Sequence, residues 1–416
     1  MSRLTAATPA SERLHALDAI RGGALLLGIV LHATLSFIPT PTRMWFIEDT
    51  HQSVALALLS FTIHVFRMTT FFLMAGFFAR MSFHRRGAWG FARDRLQRIG
   101  LPLVIGWPIL FIPMGLIVFW ASGFPNGGPI PGAPGWPPVL PNFPLGHLWF
   151  LYVLLELYLA MLLLRSTAVR LDASGALRTA LDRLFARIMR NPLAPAILAI
   201  PIGIAFSLDQ RWVNVMGVKT PDQSLVANLP QALIGFGTAF GFGWLLHRQI
   251  DLLQILERRW LSNLLLGLGL ILIGFVIAGV MLHRPGAPSL PIRFETLRLV
   301  SAVLYAPAIW TSTFAVIGLA LRFTSGFSPM RRYIADASYW LYLIHMPIVM
   351  ALQVAVSQLD WSWPIKFATI LVVALLPMLA SYQLLVRFTI IGMVLNGRRA
   401  PRETAPAAAV TGSAAP

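Results

Sequence analysis

The chain has 416 residues, 57% of them hydrophobic and only 12% charged, with a mean hydropathy of +0.71. A soluble chain of this length needs far more charge to cover its surface, so the composition points to membrane residence. The formal net charge of +17 does not indicate a nucleic-acid partner, because the basic residues form short clusters between apolar stretches; the absence of cysteine excludes disulfides, thiolate catalysis and a Cys-based metal site.

Windows of about 20 apolar residues mark candidate spans. Ten occur, at 19–38, 52–79, 99–121, 147–164, 193–208, 228–247, 261–282, 299–321, 338–357 and 366–391. The expectation is an all-α, polytopic membrane protein with about ten transmembrane helices. Residues 1–17 read as a polar cytoplasmic segment, 18–395 as one membrane domain, and 396–416 as a tail whose Ala, Pro, Thr and Ser content predicts disorder. The first apolar run contains Arg21 and lacks a small-residue cleavage site, so it is expected to remain as a span. Of the 33 Lys and Arg, 23 fall at the N-terminus and in every second loop after it, 7 in the alternate loops and 3 within spans. That asymmetry puts both termini in the cytoplasm. The outer loop from Ser122 to Leu145 is rich in Pro and Gly, and serves either as an ordered spacer or as a lid over substrate.

Polar residues inside the spans carry the functional signal, since a cation or imidazole is costly in hydrocarbon. Arg21 and His32 share the first span, and their spacing puts them on one helical face about 16 Å apart along the axis. Asp18, one turn before Arg21, suits a surface ion pair at the cytoplasmic mouth. His64 and Arg67 are neighbours on the second span near mid-bilayer. They form either a buried structural pair or a polar cavity, in which Arg67 fixes an anionic or carbonyl group and His64 exchanges a proton. Glu156, in the fourth span, is either the counter-ion of Arg67 or Arg21 or a carboxylate that orients an imidazole. His147 opens that span in GHLWFLY, as an interfacial anchor or a substrate contact. His345 lies in YWLYLIHMP, where Pro347 can free a carbonyl for its ring.

By depth from the cytoplasm the expected order is Arg21, His345, then His64 with Arg67, then His32, with His147 outermost. Such a ladder is a polar path across the bilayer. Six arginines between Arg80 and Arg98 suit anionic lipid headgroups. Arg95 and Arg98, one turn apart, also have the spacing to clamp phosphates of a nucleotide-bearing donor. There is no P-loop, nucleophile elbow, HExxH or dinucleotide fingerprint, and the histidines are too scattered to suggest a metal site. His32 is therefore the leading candidate base.

The segments LDAIRGGALLLGIVLHATLSF, IHVFRMTTFFLMAGFF, RDRLQRIGLPL, GHLWFLY and ASYWLYLIHMPIV resemble the integral membrane acyltransferase-three family, from about Leu14 to Arg387. Within it they look closest to a branch that succinylates periplasmic glucans. Arg, ten residues, then His is that family's first-span signature, met here by Arg21 and His32. The resemblance implies a multi-pass protein of the bacterial inner membrane that moves an acyl group from cytoplasmic acyl-coenzyme A (succinyl- or acetyl-coenzyme A) to a hydroxyl of an extracytoplasmic glycan. It makes His32 the essential histidine, with Arg21 and Arg67 positioning the donor and Arg95 and Arg98 in a cytoplasmic arginine motif. No permanently bound cofactor or metal is implied. His32 then acts either as general base or as a covalent acyl carrier. The alternatives are acylation of another polysaccharide, lipid or small molecule, or proton-coupled transport by the same buried charges.

Overall fold

The computed structural model describes residues 10–130, 138–282 and 293–397. Most of the expected N-terminal segment and tail, and the centre of the Pro- and Gly-rich loop, lie outside the described residues. The α-helices are α1 (Ala10–Thr34), α2 (Val54–Arg95), α3 (Leu101–Ala121), α4 (Trp149–Leu171), α5 (Ala176–Arg190), α6 (Ala194–Leu208) and α7 (Leu229–Leu246). They continue with α8 (Leu253–Arg258), α9 (Trp260–Leu282), α10 (Phe294–Phe323), α11 (Pro329–Ser357), α12 (Trp363–Ser381) and α13 (Ile390–Asn396). No strand is formed among the described residues, so the fold is all-α.

By length and apolarity eight helical runs can cross a membrane, or nine if α5 and α6, bent by 109° to each other, count as one. The sequence windows number ten because they divide differently. Windows 52–79 and 99–121 both lie in one helical run of 68 residues, Val54–Ala121. A straight helix of that length would reach about 100 Å, three times the hydrocarbon thickness. The run is broken at Gly87, whose φ of 69° is reached easily only without a Cβ. A wider π-turn at Leu96–Gly100 then leads into α3. The window 193–208 is the 15-residue α6, shortened by the bend after Arg190. Helix α5 carries Phe185 and Met189 on its buried face and Arg178, Arg183, Arg187 and Arg190 elsewhere, the pattern of a helix lying along an interface.

Helices α1, α2, α10 and α11 form the centre, with α7 against α2, α9 and α6 against α10, and α12 against α11. The outer helices expose Ile109 and Phe119 on α3, Leu265 and Val276 on α9, and Val372 and Leu376 on α12. A belt of that apolarity requires lipid around it. Close approaches set the centre: a Cβ on Gly76 would overlap the Phe240 carbonyl, and one on Gly243 the Leu73 carbonyl, so α2 and α7 touch backbone to backbone. Helices α1 and α11 run parallel in a fixed register. Gly22 faces Ala335, with 3.0 Å from its Cβ position to the Ala335 Cα, and His32 bonds His345, both pairs being 313 positions apart.

Candidate functional site

Of the cavities that open along α1, two carry the polar side chains of interest, one near each end of its apolar stretch. The first has a cavity volume of about 100 Å³ and is lined by Arg21 and Leu25 of α1, Phe71 and Phe78 of α2, Arg95 and Arg98 at the π-turn, Phe150 and Tyr158 of α4, and Tyr339 of α11. The second, also about 100 Å³, is lined by His32, His64 and Arg67, with Trp149, Thr220 and Tyr305. Their walls are nearly shared: Met68 and Thr69 of α2 face the second and Phe71 the first, while Trp149 faces the second and Phe150 the first. Edge-to-face rings close the layer between them, Phe71 to Phe150 at 4.6 Å and Phe150 to Tyr342 at 4.9 Å.

In the first cavity a single buried carboxylate, Asp94, organises the arginines. It pairs with Arg86, with Arg95 at 2.9 Å and with Arg98 at 3.9 Å. Arg95 also lies over the Phe91 and Tyr158 rings, at 5.2 and 5.4 Å. Arg98 donates from Nε and Nη2 to the Leu395 carbonyl, at 3.1 and 3.0 Å. Arg21 lies over Phe78 at 5.4 Å and pairs with Asp18 at 3.4 Å; Asp18 also meets Arg332 at 3.4 Å. Three guanidinium groups thus surround one cavity with two carboxylates, Asp18 and Asp94, paired to them among the described residues, which leaves room for an anionic ligand.

In the second cavity Arg67 has neither a hydrogen bond nor an ion pair among the described residues, and its Nε is buried without a partner. Its guanidinium lies against Gly28, where a Cβ would overlap Nη1. A part-buried cation with no counter-ion is costly in a membrane interior, and this one has room to pair with charge carried by a ligand. His64 stands one turn from Arg67, exposed to the cavity, with Nε2 about 3.0 Å from the Cβ position of Gly217 in the loop before α7.

Behind this cavity sits a histidine cluster. His32 Nδ1 and His345 Nε2 are 2.8 Å apart, and the two rings lie edge to edge, 21° from parallel, with centroids 5.0 Å apart. His345 Nδ1 meets the Tyr342 carbonyl at 2.6 Å. His147 packs edge-on to His345 at 5.3 Å, and its Nε2 meets the Leu343 carbonyl at 3.0 Å. The Tyr342 hydroxyl donates to the His147 carbonyl. Buried Gln353 donates to the His32 carbonyl at 2.9 Å and accepts from Trp45 Nε1 at 3.0 Å.

The structure thus gathers Arg21, Arg95 and Arg98 in one cavity and His32, His64 and Arg67 in the other. It corrects the expected ladder. His345 does not lie nearer the cytoplasm than His32, but level with it and in contact, and His147 joins the same cluster. The reason is that α11 starts at Pro329, not near residue 338, so the parallel register with α1 carries His345 up beside His32. Glu156 is not brought to either site. Residues 150, 154 and 158 of α4 face the first cavity, and Glu156, two positions from the last two, points about 200° away from them. It makes no ion pair with Arg21 or Arg67 among the described residues and stands one turn from Tyr152. Asp94, Tyr342 and Gln353 went unnoticed in the sequence. Asp94 had one available signal, as the single acid among six arginines. No group of three or more His, Asp or Glu is arranged to hold a metal ion among the described residues.

A family model described as an acyltransferase domain matches residues 14–383. The chain is also similar to a glucans biosynthesis protein C of Shigella dysenteriae serotype 1 (strain Sd197), 31% identical over 144 residues. It is 30% identical over 152 residues to the proteins of that name from Escherichia coli strains K12 and O1:K1 / APEC. These alignments cover 35% of this chain and span 37% of the length of the curated relatives. No solved structure matches.

Proposed function

The chain belongs to the acyltransferase family whose domain it carries over residues 14–383, and on that premise we propose that it moves a succinyl or acetyl group from cytoplasmic acyl-coenzyme A to a hydroxyl of an extracytoplasmic glycan, a periplasmic glucan. The observation that carries the reading is the pair of cavities, one rich in arginine and one in histidine, separated by a single layer of aromatic rings. The donor carries several phosphate charges at one end and a thioester at the other. Arg21, Arg95 and Arg98 bind the charged end, and the thioester passes the aromatic layer toward His32. The bias of Lys and Arg to alternate loops supports a cytoplasmic arginine cavity, with both termini on that side of a bacterial inner membrane. The name of the matched relatives supports a glucan acceptor.

A sugar hydroxyl is a weak nucleophile until its proton is taken. Neutral His32 takes that proton as the oxygen attacks the thioester carbonyl. Arg67, unpaired and close by, stabilises the oxyanion that forms, in a site where few other charges compete. The carbon–sulfur bond then breaks, the ester is left on the glycan, and the proton passes from His32 to the departing thiolate. His64 shares the acceptor side of the cavity.

The test is thiol release by purified protein in nanodiscs, with succinyl- or acetyl-coenzyme A and a periplasmic glucan. Release that depends on the glucan, and is lost in His32→Ala, is the expected result. Absence of binding and of release with both donors would overturn the reading.

A further inference from the structure

We propose that His345 is the positioning residue of the site, holding His32 in the tautomer that leaves its Nε2 lone pair free toward the cavity. One line of hydrogen bonds fixes the tautomers, each proton being placed by the partner its nitrogen faces. A carbonyl oxygen can only accept, so His345 Nδ1, 2.6 Å from the Tyr342 carbonyl, carries the proton and donates it. In a neutral ring the other nitrogen is then bare, so His345 Nε2 accepts. His32 Nδ1, 2.8 Å away, must be the donor. A neutral His32 is left with a bare Nε2, and the side chain lines the cavity shared with Arg67 and His64. This is the state a general base needs.

The neutral state of the cluster follows from its surroundings. His345 is fully buried, and the groups facing it are His32 from α1, His147 beside α4, Tyr342 on its own helix, and Arg67 across the cavity. No carboxylate contacts any of the three imidazoles among the described residues, so a resting positive charge there has nothing to balance it. His147 stays out of the line, since its Nε2–H goes to the Leu343 carbonyl and its Nδ1 is buried without a partner. It acts as packing against the His345 ring. When His32 takes the hydroxyl proton on Nε2, the Nδ1–H bond to His345 steadies the imidazolium until the proton leaves with the thiolate. His345 itself neither gains nor loses a proton. The role resembles that of the carboxylate in a hydrolytic triad, where loss of the correct tautomer costs about 10⁴-fold in kcat.

The inference rests on the reading of His32 as base, and two variants separate it from a merely structural role. Gln at 345 can place its amide oxygen near the Nε2 position and accept from His32, whereas Leu fills similar volume and cannot. The expected result for His345→Leu is a fall in kcat of about 10³- to 10⁴-fold with the KM for acyl-coenzyme A unchanged. His345→Gln should recover to within about tenfold of the parent enzyme. Full activity in His345→Leu, or a His345→Gln protein that binds donor but is as inactive as His345→Leu, would overturn it. A direct readout comes from ¹⁵N NMR of protein labelled at histidine, with the His32 signals assigned by their loss in His32→Gln. A protonated Nδ1 and bare Nε2 support the proposal; a protonated Nε2 refutes it whatever the activity. Failure of the parent protein to use any acyl donor would instead sink the functional reading while leaving the tautomer result standing.

Discussion

Gly28→Ala should stabilise the protein and disable it, an unusual combination that follows from one contact. Gly28 lies inside α1, where Ala is favoured over Gly by about 1 kcal/mol. The new Cβ would meet only Arg67 within 4 Å, with Cζ at 3.6 Å and Nη1 well inside contact distance. Cζ is already at an ordinary separation, so relief needs a swing of the guanidinium that moves Nη1 by about 1 Å, not a shift of either helix. A displacement of that size in a positioned group costs about 10²-fold in rate, and loss of an oxyanion donor about 10²- to 10³-fold. The expected outcome is a Tm raised by about 1 °C, for about 1 kcal/mol from the added Ala, with kcat for thiol release down about 10²-fold. Tm and kcat measured on the same nanodisc preparation test this. An unchanged kcat would refute the assignment of Arg67 to the reacting carbonyl. A fall in both Tm and kcat would refute the geometry.

Three further outcomes follow. Asp94→Asn frees Arg86, Arg95 and Arg98 from their common partner, so the KM for acyl-coenzyme A should rise about tenfold while kcat changes less than about threefold; a kcat defect alone would contradict the donor-binding role. Lys366 and Asp49 are both buried, with Nζ 2.8 and 3.0 Å from the carboxylate oxygens, and tie the loop after α1 to α12. Lys366→Met strands the Asp49 charge and should cost about 3–5 kcal/mol by thermal unfolding, with much of it recovered in the double variant with Asp49→Asn. Just past the end of α7, burial and then the Arg80 guanidinium, 2.8 Å from Nδ1, hold His247 down to about 4 from 6.5. The unfolded chain takes up a proton there between about pH 6.5 and 4 that the native state refuses, so stability falls with acid across that window and is unaffected above it. His247→Gln should reduce the drop in Tm between about pH 7.5 and 5, and an identical drop would refute the assignment.

What the sequence made legible depended on whether the signal was local. Apolar windows found the helical stretches because hydrocarbon demands about 20 apolar residues in a row. They could not show that Gly87 breaks, but does not end, the run from Val54 to Ala121, because a glycine within a polar loop looks like any turn. The spacing of Arg21 and His32 was readable, since both lie on one helix. The contact of His32 with His345 was not, because it depends on where α11 starts and on the register between two helices 313 positions apart in sequence. Glu156 misled for the same reason: its depth was evident, but its face depended on how α4 turns. Asp94 was hidden by its neighbours, six arginines whose excess charge masked the one carboxylate that arranges them.

The central claim is that donor and acceptor reach His32 from opposite faces of the membrane, and sided proteoliposomes test it most directly. Protein is oriented with its arginine cavity outward, acyl-coenzyme A is supplied outside only, and the glucan is enclosed. The account predicts free coenzyme A outside and acylated glucan inside, both lost in His32→Ala. Acylation that requires donor and glucan on the same face would contradict it.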